Sequence, residues 1–345
     1  MKDIILNLFL ILILFTACRG YTEPEIYEKG QSLIDDYNGR TEMLGKASSM
    51  FSEILNENPN SLYGLTGMGR ACYKFGYYSG DNYNPELLEK AQIYFSKAIK
   101  LDSTFFDAYY YSCYASFFQK DLVNAKKMIN YAKNLKPESP KVYLLLTELA
   151  YRGKKYDEAI ETAMLVSKHT EDKNIKISAY QILTSIYEMR NDNKQTEFYH
   201  KKIIELDKNS PWVYHNYAIF LLNTERYDEA IENEKKALGM MNFGAARKVL
   251  GETYYYKGLQ YYKKNDYLSS RKFFESSLEY YPDYSYSLFC LGMTYYYTGY
   301  NNRNIKELKK AKVYLDKTIK VDGNLEEAKE QLSNLNMLLE HLHVN

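Results

Sequence analysis

What this sequence lacks narrows its role before any motif is found. It has almost no net charge, 45 Lys and Arg standing against 44 Asp and Glu for a balance of +1. At the level of the whole chain nothing gathers phosphate backbones or an anionic membrane surface, so no nucleic acid is expected as a partner. Cysteine is scarce: beyond Cys18 only Cys72, Cys113 and Cys290 occur, an odd and widely spaced set that excludes a disulfide framework. Each falls inside an expected helix among small or apolar neighbours and reads as a buried small residue. A bilayer-spanning run is missing too. The apolar stretch from Ile4 to Phe15, broken by Asn7, falls short of the roughly 20 residues a transmembrane helix needs.

Catalytic constellations are also missing from the sequence. None of His169, His200, His215, His341 and His343 stands in H-E-x-x-H or beside a cysteine pair with metal spacing. His341 and His343, two apart, splay on a helix and read as solvated polar groups. GLTGMG (64–69) lacks the order of a phosphate loop and a preceding strand, and Gly67 reads as a helix-packing residue. No nucleophile elbow or kinase set appears. We therefore expect no enzyme, no cofactor and no metal; a site assembled across repeats is the enzymatic alternative.

Tyrosine, by contrast, is abundant, with 38 residues against one Trp. Codon bias of an AT-rich genome and selection of aromatic surface for contact are both open explanations.

The feature that organises the chain is recurrence. KYDEAIE at 155–161 returns as RYDEAIE at 226–232. Ala230 is followed seven residues on by Ala237, and the same spacing joins Ala91 to Ala98 and Ala125 to Ala132. Seven residues are two helical turns, so each pair sets two small side chains on one face where another helix approaches closely. Upstream lie helices with large apolar residues at helical spacing: Tyr180, Leu183 and Tyr187; Tyr214, Tyr217 and Leu221; Leu288, Leu291 and Tyr295. Thr184, Ala218 and Gly292 supply a small residue in each of these, and Gly258 does so in a further unit. Ala47 with Phe51 and Ala91 with Phe95 repeat an A-x₃-F spacing, and Pro59, Pro137 and Pro282 follow second helices that proline cannot continue.

These residues resemble the tetratricopeptide repeat, a helix–turn–helix of about 34 residues. In that register units begin at Phe106, Pro140, Ile177, Pro211, Gly251 and Ser285, at intervals of 34, 37, 34, 40 and 34. Two earlier units have first helices near 25–37 and 60–75, with GYYSGDNYNPE (76–86) expected as an irregular loop and Pro85 near the start of the next helix. Thr196 and Ser270 replace the first seam alanine, and Val166, Ile203 and Ser277 the second. The resemblance implies an all-α, right-handed α-solenoid of about eight units over residues 25–322, closed by an amphipathic capping helix at 323–345 with Leu325, Ala328, Leu332, Leu335 and Leu339 inward.

The amino-terminal MKDIILNLFLILILFTAC resembles a bacterial lipoprotein signal peptide, spanning residues 1–17. The resemblance implies a lipid on Cys18, a tether over 18–24 and an exported chain held at a membrane; with Arg19 rather than aspartate after the cysteine, the outer membrane is favoured. In the repeat family the first helices line a concave groove. Carried onto this sequence, the groove residues are Tyr110, Tyr114, Phe118, Tyr151, Tyr255, Phe289 and Tyr297, an aromatic and nearly uncharged set that also includes Glu148 and Arg152. Of the lysine and asparagine set that clamps a peptide carboxylate in some members, only Asn216 is matched. The expected function is a non-catalytic scaffold or adaptor that holds a protein or peptide in an envelope assembly. Binding of a glycan or another small ligand by tyrosine stacking is the alternative.

Overall fold

The computed structural model describes residues 21–37, 39–79 and 82–344. The signal segment and the Cys18 lipid site expected from the sequence lie outside the described residues. Among those described there are seventeen helices, α1 (Glu23–Asp35), α2 (Thr41–Glu57), α3 (Leu62–Phe75), α4 (Pro85–Leu101), α5 (Phe106–Phe118), α6 (Leu122–Leu135), α7 (Pro140–Arg152), α8 (Tyr156–His169), α9 (Lys173–Met189), α10 (Asn193–Leu206), α11 (Pro211–Asn223), α12 (Tyr227–Met240), α13 (Gly244–Tyr262), α14 (Tyr267–Tyr280), α15 (Ser285–Asn301), α16 (Ile305–Val321) and α17 (Glu326–Val344). They run as consecutive pairs, eight in all, with α17 left over at the end. The fold is an all-α solenoid of helix pairs, as the repeat register requires. The chain divides into two compact units, one ending at Ile186 and the other starting at Tyr187, with the boundary inside α9.

Each pair closes on the seam of small residues. Ala47, Ala91, Ala98, Ala125, Ala132, Ala159, Ala230 and Ala237 are fully buried, and the replacements Thr196, Ser270 and Ser277 are buried as completely. Four residues after the first seam position comes the side chain that fills the space between the two helices: Phe51, Phe95, Ile129, Ala163, His200, Glu234, Phe274 and Leu315, all at most 5% exposed. Gly67 earns its place against the first of these, because a Cβ there would collide with the Phe51 ring; at Gly258 a Cβ would stand 2.6 Å from Phe274.

The turns inside the pairs share one device. Lys120, Lys154, Asn191, Glu225, Asn265 and Arg303 all have positive φ, between 51° and 63°, each directly after a first helix. The residue that follows donates its N–H five places back, as Asp121 does to the Ser116 carbonyl and Arg226 to that of Leu221, which satisfies the carbonyls orphaned at the helix end. That following residue then opens the second helix: the carboxylates of Asp121, Asp192 and Asp266 accept from the first-turn N–H groups of α6, α10 and α14. This explains the recurring heptapeptide. Lys155 and Arg226 occupy the cap position, and Asp157, Glu158, Asp228 and Glu229 set negative charge on the first turns of α8 and α12, where the helix dipole favours it.

One element departs from expectation. Residues 76–86 are not an irregular loop throughout, for β1 (Tyr77–Ser79) pairs antiparallel with β2 (Asn82–Tyr83), with Tyr77 opposite Tyr83. Aromatic cross-strand contact supplies what the periodicity did not reveal: the Tyr77 and Tyr83 rings lie 5.3 Å apart, and Tyr83 also stacks on Tyr73 of α3. Pro85 does start α4, with the Asn84 side chain capping it. At the far end α17 buries Ala328 and Leu335, while Leu332 and Leu339 pack half-buried on the same core.

Candidate binding surfaces

In the unit ending at Ile186, the first helices carry four of the residues expected in the groove, and one of them is core. Tyr110 is only 6% exposed, held edge-on by Tyr111 and Tyr114 with Lys141 over its ring. Burial pushes its hydroxyl well above the usual tyrosine range. Tyr114 and Phe118 are half-buried; Phe118 lies 4.2 Å from Tyr83 of the hairpin, and Tyr73 completes the cluster. Tyr151 is half-buried against Tyr156.

Charge threads these rings more than the sequence suggested. The Arg152 guanidinium sits 4.1 Å from the Phe117 centroid and 4.9 Å from that of Phe118, and donates to Glu148 at 3.2 Å. Deeper, Arg70 of α3 is 93% buried: it donates to the Gln31 carbonyl and side chain and to Asp35, and lies over the Tyr111 ring. Lys74, one turn on, has its pKa lowered to about 8 by burial first and by Arg70 second. Tyr27 of α1 donates to Asp107 of α5 at 2.9 Å, so this polar layer ties three successive first helices together. Sequence reading missed it because Arg70 and Gln31 stand 39 residues apart with no spacing that links them.

In the unit from Tyr187 onward, the expected aromatics stay partly open. Tyr255, Phe289 and Tyr297 are half-buried on α13 and α15. Tyr255 meets Tyr284 edge-on at 5.2 Å, Tyr284 meets Tyr286, and Tyr297 stacks on Tyr267 at 5.1 Å. Tyr286 presents 49% of its surface. Cys290 is buried among them, its thiol pushed up to about 12 by desolvation; Cys113 behaves alike, and Cys72 is also buried and raised, so all three read as packing residues.

The same unit holds a feature that no motif announced. His215 of α11 is only 5% exposed, and its Nδ1 lies 2.5 Å from Glu234 Oε1 of α12. Burial raises the Glu234 pKa despite the histidine, and its second oxygen has no partner. Trp212 and Phe243 close around the imidazole. In the preceding pair His200, also buried, lies 3.3 Å from Glu188. Two adjacent pairs thus hold ionisable side chains where Phe51, Phe95 and Phe274 sit elsewhere. The signal was available in the register, as a polar residue in the A-x₃-F column.

The family model described as tetratricopeptide repeat matches residues 201–232, which cover the end of α10, all of α11 and the start of α12. No curated protein matches the chain by sequence. Among solved structures, the human IFIT1 dimer with m7Gppp-AAAA is similar at 14% identity and TM-score 0.56 over 93% of this chain and 72% of that one. An IFIT1 monomeric mutant with Gppp-AAAA is similar at 13% identity and TM-score 0.55, covering 88% and 72%. Cut9 in its hetero-tetramer with Hcn1 from the APC/C is similar at 12% identity and TM-score 0.48; 85% of this chain is covered, and the chain spans about half (52%) of that protein's length. The repeat match over 201–232 and the consecutive helix pairs support a chain built of tetratricopeptide-type repeats.

Proposed function

We propose that this chain is a non-catalytic adaptor, held at a bacterial membrane by a lipid on Cys18, that binds a protein or peptide through the aromatic face of its first helices. The observation that carries the reading is the half-open aromatic array of α13 and α15, where Tyr255 and Tyr286 hold each other, Tyr297 stacks on Tyr267 and Phe289 packs on the same core, yet all four named on these helices keep exposed surface. Rigid aromatics give large contact area at small entropic cost, which suits protein recognition. The IFIT1 structures hold m7Gppp-AAAA and Gppp-AAAA, but the near-neutral charge of this chain favours a protein or peptide. The amino-terminal sequence supports export and lipidation by its length and by the small residues before Cys18.

The burial of Tyr110 directs the test to open residues. Native membranes are mildly crosslinked, and the wild-type chain is compared with a Tyr286→Ala/Tyr297→Ala variant. One protein recovered with the wild type and lost with a variant of unchanged helicity is the expected result. Recovery of the chain alone in both cases overturns the adaptor reading.

A further inference from the structure

The balance of +1 over the whole chain conceals a local excess. Helix α16 carries Lys306, Lys309, Lys310, Lys312, Lys317 and Lys320, all exposed, against the acids Glu307 and Asp316. Glu307 is already engaged by Arg271 and Thr298, which leaves Asp316 as the one acid on the open side of this helix. Among the described residues none of the six lysines forms an ion pair; Lys310 and Lys317 instead lie over the Tyr295 and Tyr314 rings. The opposite face is the core of the last pair, with Leu308, Ala311, Leu315 and Thr318 fully buried. Helical spacing therefore gathers the lysines on one face, around Val313, which is 51% exposed. Arg303, exposed in the turn before α16, adds a cation near its amino-terminal end.

We infer that the outer face of α16 is a docking surface for an anionic lipid bilayer. Four to eight cations on one amphipathic helix are the pattern that anionic headgroups attract, each contributing within a Debye length of the surface. Long lysine stems let the ammonium groups reach the headgroup plane while Val313 touches the interface. Cations spread along the exposed face of one helix, with no ion-pair partner among the described residues, suit an extended charged surface better than a single anion, which would need convergent donors. This contact goes beyond the Cys18 lipid and does not depend on it, because it responds to lipid charge and the acyl chain does not.

The test uses the full chain with vesicles of phosphatidylcholine alone and of phosphatidylcholine mixed with phosphatidylglycerol, measured by co-sedimentation. Wild-type chain and a Lys306→Gln/Lys309→Gln/Lys312→Gln/Lys320→Gln variant are compared, with far-ultraviolet circular dichroism as a control of fold. Any contribution of the apolar amino terminus is common to both vesicles and both proteins, so the readout is the anionic-to-neutral ratio of partition coefficients. Each lysine near the surface contributes about fivefold, so the expected result is a wild-type preference that falls more than tenfold in the variant and fades as salt is raised. Equal partition of the wild type to both vesicles, or a preference that survives in the variant, overturns the inference. So does displacement of the chain from anionic vesicles by short duplex DNA at stoichiometric amounts, which would assign the face to a polymeric anion. Failure here leaves the adaptor reading untouched, since that is read from protein recovery and from α13 and α15.

Discussion

At the scale of the residue, the consequential departures are the ionisable side chains set where a repeat of this kind buries an aromatic. A buried ion pair contributes little net stability, but removal of one partner leaves the other uncompensated. His215→Ala should therefore destabilise the chain by ~2–4 kcal/mol, because Glu234 is then buried with neither oxygen partnered. A His215→Leu/Glu234→Leu double variant should be neutral or more stable than wild type. Denaturant midpoints of the three proteins check both statements, and a single variant as stable as the double would show that the pair carries no such cost. A second residue acts from the surface. Glu197 of α10 is held down to about 2, first by its hydrogen bonds to Arg226, with further bonds from Lys201 and Tyr217. Its folded pKa lies below the unfolded value of about 4.3, so its contribution is complete above that value and is lost as pH falls toward 2. Arg226→Gln should cost ~1 kcal/mol at neutral pH. The difference from wild type should shrink on acidification, which thermal melts at a series of pH values would show.

At the scale of the element, six turns share one strained residue. A non-glycine residue in the left-handed region costs roughly 1–2 kcal/mol, offset in part because glycine loses more entropy on folding. Glu225→Gly should thus stabilise the chain by ~0.5–1 kcal/mol, and Asn265→Gly by less, since asparagine tolerates this conformation. Urea denaturation of the two variants decides it, and a destabilised Glu225→Gly would show that the Glu225 side chain matters more than its φ. These turns were only half legible. The unit starts at Phe106, Pro140, Ile177, Pro211 and Gly251 predict Lys120, Lys154, Asn191, Glu225 and Asn265 at one common offset, and the stretch at 300–304 moves the last to Arg303. Yet none of the six is glycine, so composition did not mark the left-handed position. The hairpin at 77–83 escaped for a related reason. Two strands of three and two residues carry no period, and the ring contacts of Tyr83 with Tyr77, Tyr73 and Phe118 add to their short pairing.

At the scale of the whole molecule, local sequence was sufficient for the architecture. A repeat buries its apolar face against its neighbours in sequence, so helical periodicity, seam alanines and terminating prolines specify each pair without reference to distant residues. Pro59, Pro137 and Pro282 each stand two residues beyond a helix end, and every seam position named from spacing is buried. The candidate surfaces obey a different rule. Whether Tyr110 faces a partner or the core depends on side chains from α5 and α7 together, and the Arg70 layer depends on α1, α3 and α5, separations over which spacing carries no information. Charge behaves likewise: a sum over the chain cancels to +1, while the fold turns the lysines of α16 to one side and its leucines to the other. The sequence by itself determined the helices, their pairing and their ends, because those rest on contacts a few turns apart. Only the tertiary structure decided which tyrosines are buried, which polar groups are paired and where charge is left open, because each of those is a property of several helices packed together.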